Sequence, residues 1–114
     1  MDDCLFCRII DRKIPAKIVY EDDRAVAIED IHPRSPTHLL VIPRQHLPSL
    51  MEAKNGDEAL LGHLFLVAGQ LAQKRGLDLK GYRTVINTGA GAGQTVFHLH
   101  VHLLGGRAFH WPPG

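Results

Sequence analysis

The spacing of hydrophobic residues along the chain predicts a sheet of five strands. Short apolar or alternating runs, each bounded by turn-forming residues, predict strands over 18–20, 25–29, 38–42, 82–87 and 97–104. The intervening segments contain Pro33, Pro36 and a charged turn at 21–24, which separate neighbouring strands. The pattern therefore predicts an α+β fold with a mostly antiparallel sheet in one domain covering residues 1–114.

A period of three to four residues predicts two helices of unequal length. The short helix covers 4–11 and follows Asp2 and Asp3, either of which can cap it. The long helix begins at Asn55 or Asp57 and ends near residue 75, before a glycine. Two of its apolar residues, Leu66 and Val67, lie off the main stripe, so this second face is expected to meet a partner subunit.

The last predicted strand carries the chain's most unusual chemistry. At a period of two, His98, His100 and His102 share one face of this strand, and the large apolar residues between them share the other. Neighbouring imidazoles can hold a metal ion, although all three cannot easily reach the same one. Alternatively, one imidazole is a nucleophile and its neighbours position the substrate. A histidine-rich polar surface without a role is the third interpretation.

A glycine-rich loop, Asn87–Thr95, precedes these histidines. Gly89, Gly91 and Gly93 alternate in it, but a strand rather than a helix follows, which excludes the dinucleotide-binding fingerprint. Backbone N–H groups of such a loop can still bind phosphate, with Gln94 and Thr95 as further donors. The alternative is a flexible connection whose glycines serve turn geometry alone.

Composition narrows the choice of partners and compartment. The net charge is +1 and no basic run occurs, so neither nucleic acid nor a membrane surface is an expected partner. No apolar stretch approaches the length of a membrane span, and the acidic N-terminus has no signal core, which favours the cytoplasm. In that compartment Cys4 and Cys7 are expected to be a metal or redox pair rather than a disulfide.

The segment 98–104 resembles the signature of the histidine triad (HIT) superfamily. The segments 14–24, 36–43 and 87–95 and the ending 110–114, His-Trp-Pro-Pro-Gly, resemble its Hint branch, the purine nucleoside phosphoramidases. The resemblance covers nearly the whole chain. It implies a HIT-like fold whose sheet extends across a homodimer.

The resemblance also implies a mechanism. His100 would attack the α-phosphorus of a nucleotide and form a nucleotidyl-histidine intermediate, which water then hydrolyses, with no cofactor required. His98 and His102 would bond the phosphate or shape the network, and His38 resembles the family's further histidine. Thr95 stands where the family usually has serine near the leaving group, so a hydroxyl is kept.

The nucleotide-binding residues follow from the same resemblance. Asp30 would accept hydrogen bonds from the ribose hydroxyls, and Asn87 would touch the ribose or phosphate, with Gly93 and Gln94 in the phosphate loop. The apolar base pocket would consist of Phe6, Ile9, Ile14, Ile28, Ile31 and Leu40. Trp111 is expected to reach an active site, that of the other protomer. The alternatives are a loop cap for Asp30 and plain core for the apolar residues.

A structural zinc site is a further implication of the resemblance. Its ligands would be Cys4, Cys7, His46 and His98, a closed set of two thiolates and two imidazoles. Two small buried thiols are the alternative. For the whole protein, the competing hypotheses are a dinucleoside polyphosphate hydrolase, a non-catalytic nucleotide-binding or interaction module, and a zinc hydrolase using two triad histidines.

Overall fold

The computed structural model describes residues 3–114 and contains the predicted sheet and both helices. Its helices are α1 (Leu5–Ile10) and α2 (Glu58–Lys74). Its strands are β1 (Ile18–Glu21), β2 (Ala25–Glu29), β3 (Thr37–Pro43), β4 (Arg83–Val85) and β5 (Val101–Gly105). Among these residues no helix is both long and apolar enough to cross a membrane.

The five strands form one antiparallel sheet in the order β1-β2-β3-β5-β4. The middle strand, β3, is buried along its whole length. Its register with β5 pairs Leu40 with His102 and His38 with Leu104. Paired residues of antiparallel strands point to the same face, so His38 and His102 are diagonal neighbours on one side of the sheet.

Each face of the sheet is covered by one helix. On one face, Leu99, Val101 and Leu103 pack into a core with residues of α2 such as Leu64 and Leu71. The prediction that the apolar side of the last strand packs on the long helix is therefore confirmed. The opposite face packs against α1 through a second core, whose buried members are Phe6, Ile9, Val26, Ile28, Leu40 and Ile42. The histidines are thereby directed to the α1 side.

Two predicted strands are shorter in the structure. The fifth strand begins at Val101, not at residue 97, so His102 is the triad histidine that lies within it. The strand starts late because the Leu99 N–H donates to the Leu47 carbonyl (2.7 Å) rather than to a neighbouring strand. Similarly, the fourth strand covers three residues instead of 82–87. The alternation of buried faces nevertheless continues through Leu99.

The helix ends and one helix face also differ from expectation. Cys4 caps α1, with its Sγ accepting from the Cys7 N–H (3.4 Å); the alternative cap, Asp2, lies outside the described residues. A 3-10 turn, Asn55–Asp57, precedes α2. On α2, Leu66 is exposed as expected, but Val67 is buried in the core. Val67 and Leu71 are four residues apart and therefore lie on the same side of the helix.

Candidate active site

A cavity of about 340 Å³ lies on the α1 side of the sheet. Its wall contains the six residues expected to form a base pocket: Phe6, Ile9, Ile14, Ile28, Ile31 and Leu40. Asp30, Thr95, His100 and His102 line the same cavity, so the structure brings the expected apolar and polar groups together. Sequence reasoning missed six residues of this wall, most of which lie next to a residue that it did select: Leu5, Pro15, Ala16, Glu29, His32 and Val96.

His100 is held in one tautomer by the backbone. Its Nδ1 lies 2.8 Å from the carbonyl oxygen of His98, and because a carbonyl can only accept, Nδ1 carries the proton and donates it. The ring is buried, and this burial lowers the pKa of His100 below its ordinary value. Neutral His100 therefore has its lone pair on Nε2, which is the form required of a nucleophile.

A chain of hydrogen bonds holds His102 in the opposite tautomer. The Arg34 N–H donates to His38 Nδ1 (3.0 Å), so neutral His38 carries its proton on Nε2. That nitrogen lies 2.9 Å from His102 Nδ1 and donates to it. Burial, together with the neighbouring His100 and His38, lowers the pKa of His102 to about 4. Neutral His102 is thus left with an Nε2–H donor beside the His100 ring.

Asp30 has one oxygen engaged locally and one beside the histidines. Oδ1 accepts from the His32 N–H (2.8 Å), which is the loop-cap role considered above. Oδ2 lies 3.3 Å from His38 Nε2, and the side chain is 18% exposed. A carboxylate has lone pairs beyond these two contacts, so the loop-cap bond leaves Asp30 able to accept from a ligand in the cavity. Asp30, His38 and His102 also lie close enough to share a cation.

The glycine-rich loop differs from a free anion-binding nest. Its N–H groups at residues 92, 93 and 94 donate to carbonyls within the loop. Gln94 is buried: its Oε1 accepts from the Gly89 N–H (2.8 Å), and its Nε2 donates to the carbonyls of Pro48 (2.8 Å) and Val96 (3.1 Å). The Gln94 side chain therefore braces the loop, whereas Thr95 is exposed and faces the cavity.

The other expected site residues lie outside the cavity wall. His38 and His98 are buried behind it, and Asn87 is half-buried beside Gly93. Trp111 is 84% exposed, in the C-terminal segment, and does not line this chain's own cavity.

Four side chains next to the cavity converge as metal ligands. The Nδ1 of His98 lies 3.3 Å from Cys4 Sγ, 3.5 Å from Cys7 Sγ and 3.2 Å from the Nδ1 of His46. A tetrahedral zinc site would separate two nitrogens by about 3.3 Å, and a nitrogen from a sulfur by about 3.6 Å. Because His98 Nε2 donates to the Pro43 carbonyl (2.8 Å), its Nδ1 presents a lone pair to the other three. The set fits a closed, four-coordinate metal.

The Cys7 thiol is also affected by its surroundings. Burial and the neighbouring Cys4 raise the pKa of the Cys7 thiol to about 11. Two thiols this close disfavour ionisation of each other unless a cation lies between them. Sequence reasoning selected the four ligands but missed the Pro43 carbonyl, for which no side-chain pattern gives a signal.

Comparisons with known proteins identify the family. The HIT domain model matches residues 11–109. An uncharacterized HIT-like protein of Synechococcus elongatus is 56% identical over 113 residues, covering 99% of this chain and 98% of the relative. A HIT family hydrolase from Legionella pneumophila superposes with a TM-score of 0.96 at 47% identity, covering 98% of this chain and all of that one (100%).

A third relative is described as zinc-bound. A zinc-bound histidine triad family protein from Mycobacterium smegmatis superposes with a TM-score of 0.82 at 34% identity, covering 93% of this chain and 76% of that one. The fold of this protein is similar to that of HIT family hydrolases. The chain belongs to the HIT domain family.

Proposed function

We propose that this protein is a purine nucleoside phosphoramidase, a hydrolase that cleaves the P–N bond between AMP and an amine. The observation that carries the proposal is the His100 tautomer, since the His98 carbonyl holds the proton on Nδ1 and leaves the Nε2 lone pair free. A cavity of about 340 Å³ with a mainly apolar wall that also contains Asp30 is suited to a nucleoside. Asp30 would accept from the ribose hydroxyls, and Asn87, Gly93 and the other loop residues would approach the phosphate.

The reaction proceeds in two displacements. The Nε2 lone pair of His100 forms a bond to the α-phosphorus while the P–N bond to the amine breaks. The amine leaves with a proton from the Thr95 hydroxyl, and the His102 Nε2–H bonds a phosphoryl oxygen. The imidazole is cationic while bonded to phosphorus, which makes it a good leaving group. Water then attacks phosphorus and gives a proton back to Thr95, the P–Nε2 bond breaks with its electron pair returning to His100, and AMP departs.

A homodimer and a structural zinc belong to the same proposal. Exposed Phe65 and Leu66 on α2, together with the open edge of β4, offer a surface to a second copy. Trp111, which is outside its own chain's cavity, would then reach the partner's site. The Cys4, Cys7, His46 and His98 set would hold zinc, which supplies a crosslink and no catalytic step. We also propose that the protein works in the cytoplasm, with AMP-like nucleotides as substrates.

The test is hydrolysis of adenosine 5′-phosphoramidate by wild type and His100→Ala. We expect His100→Ala to lose turnover and to keep AMP binding, because the cavity wall is otherwise intact. Mass spectrometry of acid-quenched wild type should detect an AMP adduct that the variant lacks. The matched control is His63→Ala, since His63 lies on α2 and bonds Asp22 (2.7 Å) away from the cavity.

Equal turnover by wild type and His100→Ala would refute the proposed mechanism. Faster cleavage of a dinucleoside polyphosphate than of the phosphoramidate would instead assign the site to that hydrolase class. AMP binding without turnover of either substrate would identify a non-catalytic nucleotide-binding module.

A further inference from the structure

A second cavity of about 400 Å³ adjoins the nucleotide cavity. It is lined by Asp3, Cys4, Leu5, His46, Thr95, Val96 and Phe97. Three of these residues, Leu5, Thr95 and Val96, also line the nucleotide cavity, so the two spaces share a wall. The mechanism proposed above uses the first cavity and leaves the second without a ligand.

The shared wall contains the hydroxyl that the leaving group must approach. In the proposed reaction the amine takes its proton from Thr95, so its nitrogen lies within hydrogen-bond distance of that residue. The base and ribose would occupy the apolar side of the first cavity, between α1 and the ends of β2 and β3. Because Thr95 also lines the second cavity, an amine substituent that extends from it away from the nucleoside can cross the shared wall.

From this geometry we infer that the second cavity is the subsite for the leaving group, and that it selects amines with an apolar chain ending in a positive charge. The inference rests on the proposed function and names its substrate class. Phe97, which is 51% exposed, and Leu5, which is 40% exposed, provide the apolar contact. Exposed aromatic and aliphatic side chains gain free energy when a ligand chain covers them.

The charge preference follows from Asp3. Among the residues that the structure describes, 3–114, it is the one carboxylate in the lining, and neither lysine nor arginine is among the lining residues. If Cys4 and Cys7 bind zinc as thiolates, their two negative charges balance the ion, so the neighbouring wall adds no net charge. A distal ammonium group on the leaving amine is therefore attracted by Asp3, and a distal carboxylate is repelled.

Three adenosine phosphoramidates of equal nucleotide structure test the inference. One releases ammonia, one releases an α,ω-diamine with a free ammonium end, and one releases an ω-amino acid of the same length. Wild type should favour the ammonium-ended over the carboxylate-ended substrate by about two- to tenfold in kcat/KM, as for an exposed charge pair. The preference should decrease as salt is added.

Variants locate the preference. Asp3→Asn should remove the preference for the ammonium-ended substrate. It should leave hydrolysis of the ammonia amide unchanged, because that leaving group has no chain to extend into the second cavity. The control Asp78→Asn makes the same charge change at an exposed position outside the lining, and should keep the preference. Phe97→Ser should raise KM about fivefold for both long substrates, since an apolar contact is lost, and not for the ammonia amide.

The outcomes separate the two proposals. An unchanged preference in Asp3→Asn, or equal kcat/KM values for the long substrates in wild type, overturns the subsite while the phosphoramidase stands. No hydrolysis of any of the three amides by wild type overturns the proposed function, and the subsite with it.

Discussion

Replacement of Gln94 by glutamate tests whether this residue braces the loop or binds the nucleotide. Glutamate has nearly the same shape, so Gln94→Glu changes hydrogen bonding without creating a cavity. The Gly89 N–H keeps its acceptor, but the carbonyls of Pro48 and Val96 lose the Nε2 donor and face an oxygen instead. Because the side chain is 3% exposed, water cannot replace the lost donor.

The expected loss follows from these contacts. Leaving a buried acceptor unsatisfied costs about 1–3 kcal/mol, so two such acceptors give a loss of about 2–6 kcal/mol in the free energy of unfolding. For 114 residues the entropy of unfolding is about 0.24 kcal/mol/K, which converts this loss to a fall of about 8–25 °C in Tm. The deficit should shrink in acid, where a protonated carboxyl regains one donor.

Thermal unfolding followed by circular dichroism measures this change. The matched control is Gln73→Glu, which introduces the same charge at an exposed position of α2 and should move Tm by less than about 2 °C. A Gln94→Glu protein with wild-type Tm and weakened AMP binding would refute the reasoning, since that result is expected of a ligand donor and not of a buried brace.

Two further predictions concern metal removal and pH. Excess chelator should lower Tm by about 11 °C, which corresponds to about 2.7 kcal/mol for a metal present at a hundred times its Kd. Turnover below the new Tm should persist, because the Pro43 carbonyl still holds His98; abolished turnover in folded, metal-free protein would favour a zinc hydrolase. The lowered pKa of His102, about 4, means that the unfolded chain binds the extra proton, so stability should fall as pH drops from about 6.5 to about 4. Urea unfolding across this range should show a shallower fall in His102→Gln, and equal slopes would contradict the assignment.

Much of the fold was predictable because period-two alternation depends only on which face of a strand is buried. Leu99, Val101 and Leu103 reach the α2 core even though the ladder begins at Val101. The strand's start was not predictable, because it depends on the bond from the Leu99 N–H to the Leu47 carbonyl. Backbone pairing between segments distant in sequence leaves no residue pattern to detect.

The site was predictable to different degrees for similar reasons. The apolar wall and the four candidate metal ligands were predicted from the resemblance to the HIT superfamily, and each set converges in the structure. Gln94 was predicted to donate to phosphate, whereas in the structure its side chain bonds backbone groups. An amide beside a glycine-rich loop has the same sequence pattern in both cases. The tautomer of His100 depends on a carbonyl, and carbonyls are present at every residue.

His98 takes part in two sites through chemically independent groups. Its ring belongs to the metal cluster, whereas its carbonyl oxygen belongs to the main chain and fixes the imidazole two residues later. Replacement of the ring by any other side chain deletes the first contribution and leaves the acceptor in place. Loss of the proposed metal site by substitution of this ring would therefore leave the His100 tautomer fixed, provided that the backbone at residue 98 keeps its conformation.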